Sequence, residues 1–380
     1  MKRKKDNTCA GLEYCCSLNN KCDSRNESLL NLGITPADFL RIKNEAKESF
    51  RKCKSKKSKL ICLKDLPDKI GITLFEDFLK EIKERLLKDF KNYTKMGEKF
   101  DVDRGTIFNY LNARTSFKVK TFLNVCDYLK TKNIEYIPET IKAISSAASK
   151  IKNPKLPIKE TPEVFNIIGH ITSDGSATEG QQPSYINSDD SLIKNFEEKI
   201  RIFGDIKISK VTKEKRKEHH KEVKSLHFPK IVSDILSHHY NISFDKEEIP
   251  KKLFSMPKEY AREFIKAVFD DECTIITKDK SISIRCTLID EMFVFGLKRL
   301  LLTKTNLKKN QLTLTTYYNK KYKKNFYNLW IVRKGVDIYA KEIGFDGDEK
   351  NNKLNSYFKK LNATQKGGKK DGKNGKSNNS

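Results

Sequence analysis

Two segments of this chain share one plan, an amphipathic helix opened near a proline and closed by acid, and their acidic ends Asp174 and Glu272 stand 98 residues apart. In TPEVFNIIGHITSDGS, Thr161 is placed as an N-cap and Pro162 as the first helical residue, where its missing N–H costs nothing. Val164, Phe165, Ile167, Ile168 and Ile171 then mark a continuous apolar face, and the helix is expected to stop at Asp174-Gly175. In SMPKEYAREFIKAVFDDECTI the start falls at Ser255 and Pro257, the apolar face is Ala261, Phe264, Ile265, Val268 and Phe269, and the end is Asp270, Asp271 and Glu272. A single helix of this kind is common and structural. Two in tandem with matching surroundings imply an internal duplication.

The stretches that follow also match. After the first helix come a β-like stretch around Tyr185 and Ile186, a helix over 191–204, strands over 205–211 and 222–228, and a helix over 229–240. After the second come strands over 274–277 and 281–288, a helix over 290–303, strands over 311–317 and 326–332, and a helix over 336–343 closed by Gly344. The shared order αββαββα predicts an α+β domain with antiparallel sheets over residues 162–361, in halves 162–250 and 255–361.

Upstream, residues 1–66 form a Lys- and Cys-rich segment with a helix expected around Ala37 to Phe50. From Leu74 to Phe90 apolar residues recur every three or four positions, one face of a helix. KMGEKFDVDRGTIFNYLNARTSFKVKTFLNVCDYLK then reads as a short helix ending near Phe100, a turn at Asp101 to Asp103, a helix from Arg104 to Asn112, and a helix through Phe122, Leu123, Cys126 and Leu129. It resembles the helix-turn-helix of phage-repressor-like DNA-binding domains, with Val102 in the turn and Ile107 and Leu111 facing inward. That resemblance implies an all-α domain over 67–144 whose Arg104, Thr106, Asn109 and Tyr110 face a major groove. A plain helical bundle has the same periodicity and stays open. Residues 145–161, rich in small residues, Lys and Pro, read as a linker, and 362–380 as a disordered basic tail.

Charge narrows the partner. Against 50 Asp and Glu stand 77 Lys and Arg, a net charge of +27 spread along the chain, which favours a polyanion through counterion release but does not separate DNA from RNA. No apolar run approaches the ~20 residues of a membrane span, and the basic start lacks the apolar stretch of a signal peptide, so a cytosolic protein without membrane contact is expected. The nine cysteines read as reduced thiols, and Cys9, Cys15, Cys16 and Cys22 lack the CxxC spacing of a zinc site.

IIGHITSDG (Ile167 to Gly175) and IKAVFDDEC (Ile265 to Cys273) resemble the two copies of the nine-residue LAGLIDADG motif, and YINSDDSLIKNF and YAKEIGF share the character of its family. The resemblance covers residues 162–361 and implies a single-chain, two-motif homing endonuclease. By that likeness the motif helices pack side by side through Gly169 and Ala267, and Asp174 and Glu272 are the catalytic acids that bind Mg²⁺ or Mn²⁺. The backbone carbonyls of Ser173 and Asp271 would add ligands, and Lys334, with Lys230 at a comparable place in the other half, would be the accessory basic residue that supports hydrolysis. The two sheets would form a saddle on double-stranded DNA, with Lys207, Lys210, Lys278, Lys280, Arg285 and Lys324 as candidate contacts. The expected activity is a monomer's metal-dependent cut in both strands of a long asymmetric site. A non-cleaving transcription regulator and an RNA maturase that binds intron RNA remain alternatives.

Overall fold

A computed structural model describes residues 60–130, 138–146, 149–177, 181–213, 222–244, 247–278, 281–332 and 334–367. The cysteines at 9, 15, 16 and 22, the helix expected at 37–50, and Lys280 lie outside them.

The first part holds β1 (Leu60–Ile61), β2 (Gly71–Leu74), α1 (Glu76–Phe90), α2 (Tyr93–Phe100), α3 (Arg104–Leu111), β3 (Phe117–Lys118) and α4 (Val119–Lys130). Leu74, expected inside the first helix, is the last residue of β2, so the helix starts two residues later. Caps set the next two helices. The Asn92 side chain accepts from Lys95 N at 2.9 Å and opens α2, and the Asp103 side chain accepts from Thr106 N at 2.8 Å and opens α3. Asp101, with φ 56°, turns the chain between them. A Cβ on Gly97 would stand 2.5 Å from the Val102 carbonyl oxygen, so the turn folds back onto α2 only because that position is glycine.

Most of the described residues of the expected linker at 145–161 are in strands. Ser145 and Ser146 end β4 (Ile141–Ser146), and β5 (Ser149–Lys152) and β6 (Ile158–Lys159) follow. β4 and β5 belong to an antiparallel sheet ordered β3-β2-β4-β5-β9, in which β9 (Asp205–Ile206) comes from the duplicated region. Ile151 pairs with Ile206 there, Asn153 Nδ2 donates to Asp205 Oδ2 at 2.6 Å, and Lys69 Nζ donates to Asp234 Oδ1 at 2.9 Å. One hydrophobic core therefore runs from Ile61 to Leu354.

The duplicated region follows the expected order. α5 (Pro162–Ser173), β7 (Gly175–Ser176), β8 (Ser184–Asn187), α6 (Asp190–Lys199), β10 (Ser209–Lys213), β11 (Val223–His227) and α7 (Lys230–Tyr240) make the first copy. α8 (Lys258–Glu272), β12 (Cys273–Lys278), β13 (Ser281–Leu288), α9 (Glu291–Lys304), β14 (Leu312–Asn319), β15 (Lys324–Val332) and α10 (Lys334–Glu342) make the second. The antiparallel sheets are ordered β10-β11-β8-β7 and β12-β13-β15-β14, so in each copy the strand after the paired helix is an edge strand. The strand expected over 205–211 is two, because Ile206 pairs with β5 while Ser209 to Lys213 pair with β11.

α5 and α8 lie against each other. A Cβ on Gly169 would sit 2.7 Å from the Ala267 Cβ and 2.8 Å from the Phe264 carbonyl oxygen, so any larger residue would push the helices apart. A last helix, α11 (Asp348–Gly367), was not evident in the sequence. Its final residues, 362–367, fall in the stretch expected to be a disordered tail.

Candidate active site

α5 and α8 end beside each other, and their C-terminal residues open into a cleft of about 950 Å³ whose wall includes Ser173, Asp174, Asn187, Asp270, Asp271 and Lys350. Asp174 caps α5 at the wall. The C-terminal ends of both helix dipoles give the cleft a negative bias.

At its base lies a buried polar cluster. The Asp271 side chain is fully buried, and its Oδ2 lies 2.9 Å from His170 Nδ1 and accepts the Ser173 hydroxyl. Its Oδ1 accepts from Tyr185 O–H at 2.8 Å and from Asn187 Nδ2 at 3.1 Å. Asn187 Nδ2 also lies 3.3 Å from Asp174 Oδ2, so one amide ties the cleft carboxylate to the buried one. Burial alone would depress the His170 imidazole, but the charge and hydrogen bond of Asp271 hold its pKa above the usual value. Burial, reinforced by Asp271, pushes the Tyr185 phenol well up, which keeps it a donor. His170 Nε2 is buried with no hydrogen-bond partner.

Asp270 accepts from Asp346 N at 2.8 Å and Gly347 N at 3.0 Å. Burial outweighs those bonds and raises its pKa from 3.8 to about 6. The folded state thus prefers the protonated acid, a contribution complete below pH ~4 and lost as pH climbs through about 6. On raising the pH from 4 to 7.5, the unfolding free energy of Asp270→Asn is expected to gain on the wild type by on the order of 1–3 kcal/mol. A difference between the two proteins that stays constant in urea titrations at both pH values would rule this out.

Lysines enter from α11. Lys350 Nζ donates to the Phe269 carbonyl at 3.0 Å and to the Asp270 carbonyl, and Lys353, also in the wall, pairs with Glu349 at 2.8 Å. Neither was singled out in the sequence. Nor were His170, Tyr185 and Asn187, although a histidine within an apolar helical face is the one signal that could have pointed to them.

The residues selected from sequence are scattered. Glu272 is the last residue of α8 and is not in the cleft wall. Ser173 and Asp271 engage through side chains rather than only through the carbonyls considered earlier. Lys334 and Lys230 open α10 and α7, and neither lines the cleft; Lys230 lies 3.9 Å from Asp234 instead. On α3, Arg104 is exposed and Asn109 half-buried, and the Thr106 hydroxyl is bound to Asp103. Tyr110 does not face out. It is buried and stacks on Phe117 at 4.7 Å, because the short β3 folds back over α3. Lys210 pairs with Glu197 at 2.6 Å on the side of the first sheet covered by α6, so it is turned from the open face. Lys207, Lys278 and Lys324 are exposed, and Arg285 lies over Trp330. Among the described residues, no group of three or more His, Cys, Asp or Glu side chains converges as a metal-ligand set.

No protein-family model matches the chain, and no curated protein matches it. Solved structures do. The homing endonuclease I-WcaI bound to its DNA recognition sequence is 13% identical over 51% of this chain and 85% of that chain, with a TM-score of 0.35. The N-terminal LAGLIDADG domain of WhiA is 12% identical over 50% and 86%, with a TM-score of 0.33. I-DmoI in complex with DNA and Ca is 11% identical over 48% and 88%, with a TM-score of 0.31.

Proposed function

We propose that this chain is a DNA endonuclease whose chemistry takes place at the joined ends of α5 and α8. The observation that supports it best is the convergence of Asp174 with the buried Asp271 cluster through Asn187, in a cleft toward which two helix dipoles turn their negative ends. The donors are all oxygens: the Asp174 carboxylate, helix-end carbonyls and, one residue from the wall, Glu272. That set fits Mg²⁺ or Mn²⁺, which take few protein carboxylates and keep several waters. When bound, such an ion supplies Lewis acidity and a water of lowered pKa.

In this reading Asp174 and Glu272 hold the metal with the carbonyls of Ser173 and Asp271, and Asn187 fixes the Asp174 rotamer. Lys350 and Lys353, which line the cleft, balance phosphate charge there, while Lys334 and Lys230, expected to support hydrolysis, lie outside its wall. Double-stranded DNA runs along the two sheets, with Arg104 and Asn109 of α3 adding contacts upstream. The protein works as a cytosolic monomer. Incubation of the full chain with a randomised duplex library and Mg²⁺ tests this directly: recovery of a recurrent cut sequence is expected, and an uncut library sinks it.

A second reading, a regulator that binds DNA without cutting, draws support from the same cluster. Asp271 is saturated by protein donors, and the Lys350 ammonium already sits on the α8 carbonyls where a cation would be attracted. Sequence-specific footprints that are indifferent to EDTA, with no nicking, would favour it.

A further inference from the structure

Two cysteines meet at the end of α8. Cys273, the residue after Glu272, opens β12 and stands directly opposite Cys286 of β13. The Cys273 N–H is taken by the Phe269 carbonyl, where it caps α8, so the two cysteines do not exchange both backbone bonds across the ladder. Theirs is therefore the closer kind of antiparallel pair, with Cα atoms about 4.5 Å apart, inside the range of about 4.4–6.8 Å that a disulfide spans. Their neighbours on the same face are Ile275 and Ile284, which are buried. Both thiols are free.

The first copy shows that the fold does not require this pair. There Gly175 follows Asp174 as Cys273 follows Glu272, and Gly175 stands opposite Tyr185, whose hydroxyl is committed to Asp271. In the second copy, access to the two sulfurs is uneven. Cys286 is wholly buried, whereas Cys273 is 4% exposed and belongs to the wall of the cleft, so a small oxidant approaches from that side.

We propose that Cys273 and Cys286 are a reversible disulfide site, closed by peroxide that enters through the cleft. The Cys273 thiolate attacks one peroxide oxygen and becomes a sulfenic acid, while the other oxygen departs as hydroxide. The Cys286 sulfur then displaces water from that sulfenic acid, so two thiols and one hydrogen peroxide become one disulfide and two waters. Cys286 needs no route to solvent. Burial pushes the Cys273 thiol well above its ordinary pKa, which makes the first step slow and keeps the pair reduced until peroxide is in excess. A relaxed bridge prefers Cα atoms about 5.5–6 Å apart, so closing it pushes the edge strand β12 outward and carries Glu272 with it. The effect on cutting rests on the endonuclease reading; the bridge itself does not.

The full chain is incubated with excess hydrogen peroxide in EDTA, unfolded in an alkylating reagent and digested with trypsin. Peptides 267–278 and 286–298 are expected joined, two hydrogens lighter than their sum, and separate again after dithiothreitol. Once peroxide is removed and Mg²⁺ supplied, the bridged chain should cut DNA at least about tenfold more slowly and recover in dithiothreitol, because a small displacement of a positioned group costs that much. Cys286→Ala cannot close the bridge and should keep its rate through the same treatment. Thiols that stay open to alkylation, or that bridge to other cysteines instead, would overturn the site. A closed bridge with unchanged cutting would overturn its effect on Glu272. Because the peptides are read without DNA, a chain that never cuts leaves the test of the bridge intact.

Discussion

Asp174→Asn is expected to cut DNA on the order of 10³-fold more slowly than the wild type, because a lost metal-binding charge removes several kcal/mol of transition-state stabilisation. The substitution keeps the side chain's shape and its place beside Asn187, so the fold should be unaffected. Duplex binding in EDTA should be equal or tighter, since one negative charge leaves a cleft that faces phosphate. Rate and affinity thus move in opposite directions, which a folding defect would not produce. Undiminished cutting by the variant would remove Asp174 from the chemistry.

The second large effect is on stability. Asp271→Ala leaves the His170 imidazole, the Tyr185 phenol, the Asn187 amide and the Ser173 hydroxyl without their shared acceptor in a buried site. Breaking one partner of a buried charged network costs about 3–5 kcal/mol, and the unpartnered Nε2 of His170 gives the ring no alternative. Urea denaturation should therefore show a loss in that range. Asp271→Asn, which retains an acceptor oxygen, should lose less. Midpoints within error of the wild type for the alanine variant would mean that the cluster contributes nothing net.

Much of the architecture was legible because it is periodic. The apolar stripes of α5 and α8 and the alternation of β13 carry their own signal, as Ile282, Ile284, Cys286 and Leu288 show on one face of that strand. What was lost had no period to read. β5, β6 and β9 are two to four residues long, and Pro154 and Pro157 between the first two suggested a linker. α11 is rich in Asn and Lys and, over residues 348–361, buries only Leu354, so its stripe is too thin to stand out. At the site, Asp174 is marked by the end of a motif, whereas Lys350 reaches the cleft from a helix far along the chain and Asn187 from β8, where no motif singles it out. Tyr110 stands three residues after Ile107 and so borders the inward face of α3, where it packs on Phe117 of β3.

The pairing of β5 with β9 has a consequence for how a long target would be measured. Helices α2 and α3 cannot swing on a tether, because the sheet that carries them is continuous with the first copy of the duplicated fold. If both ends engage one duplex, inserting a few base pairs between their footprints rotates one end around the helix axis and should abolish joint binding, where a flexible connection would have absorbed the change.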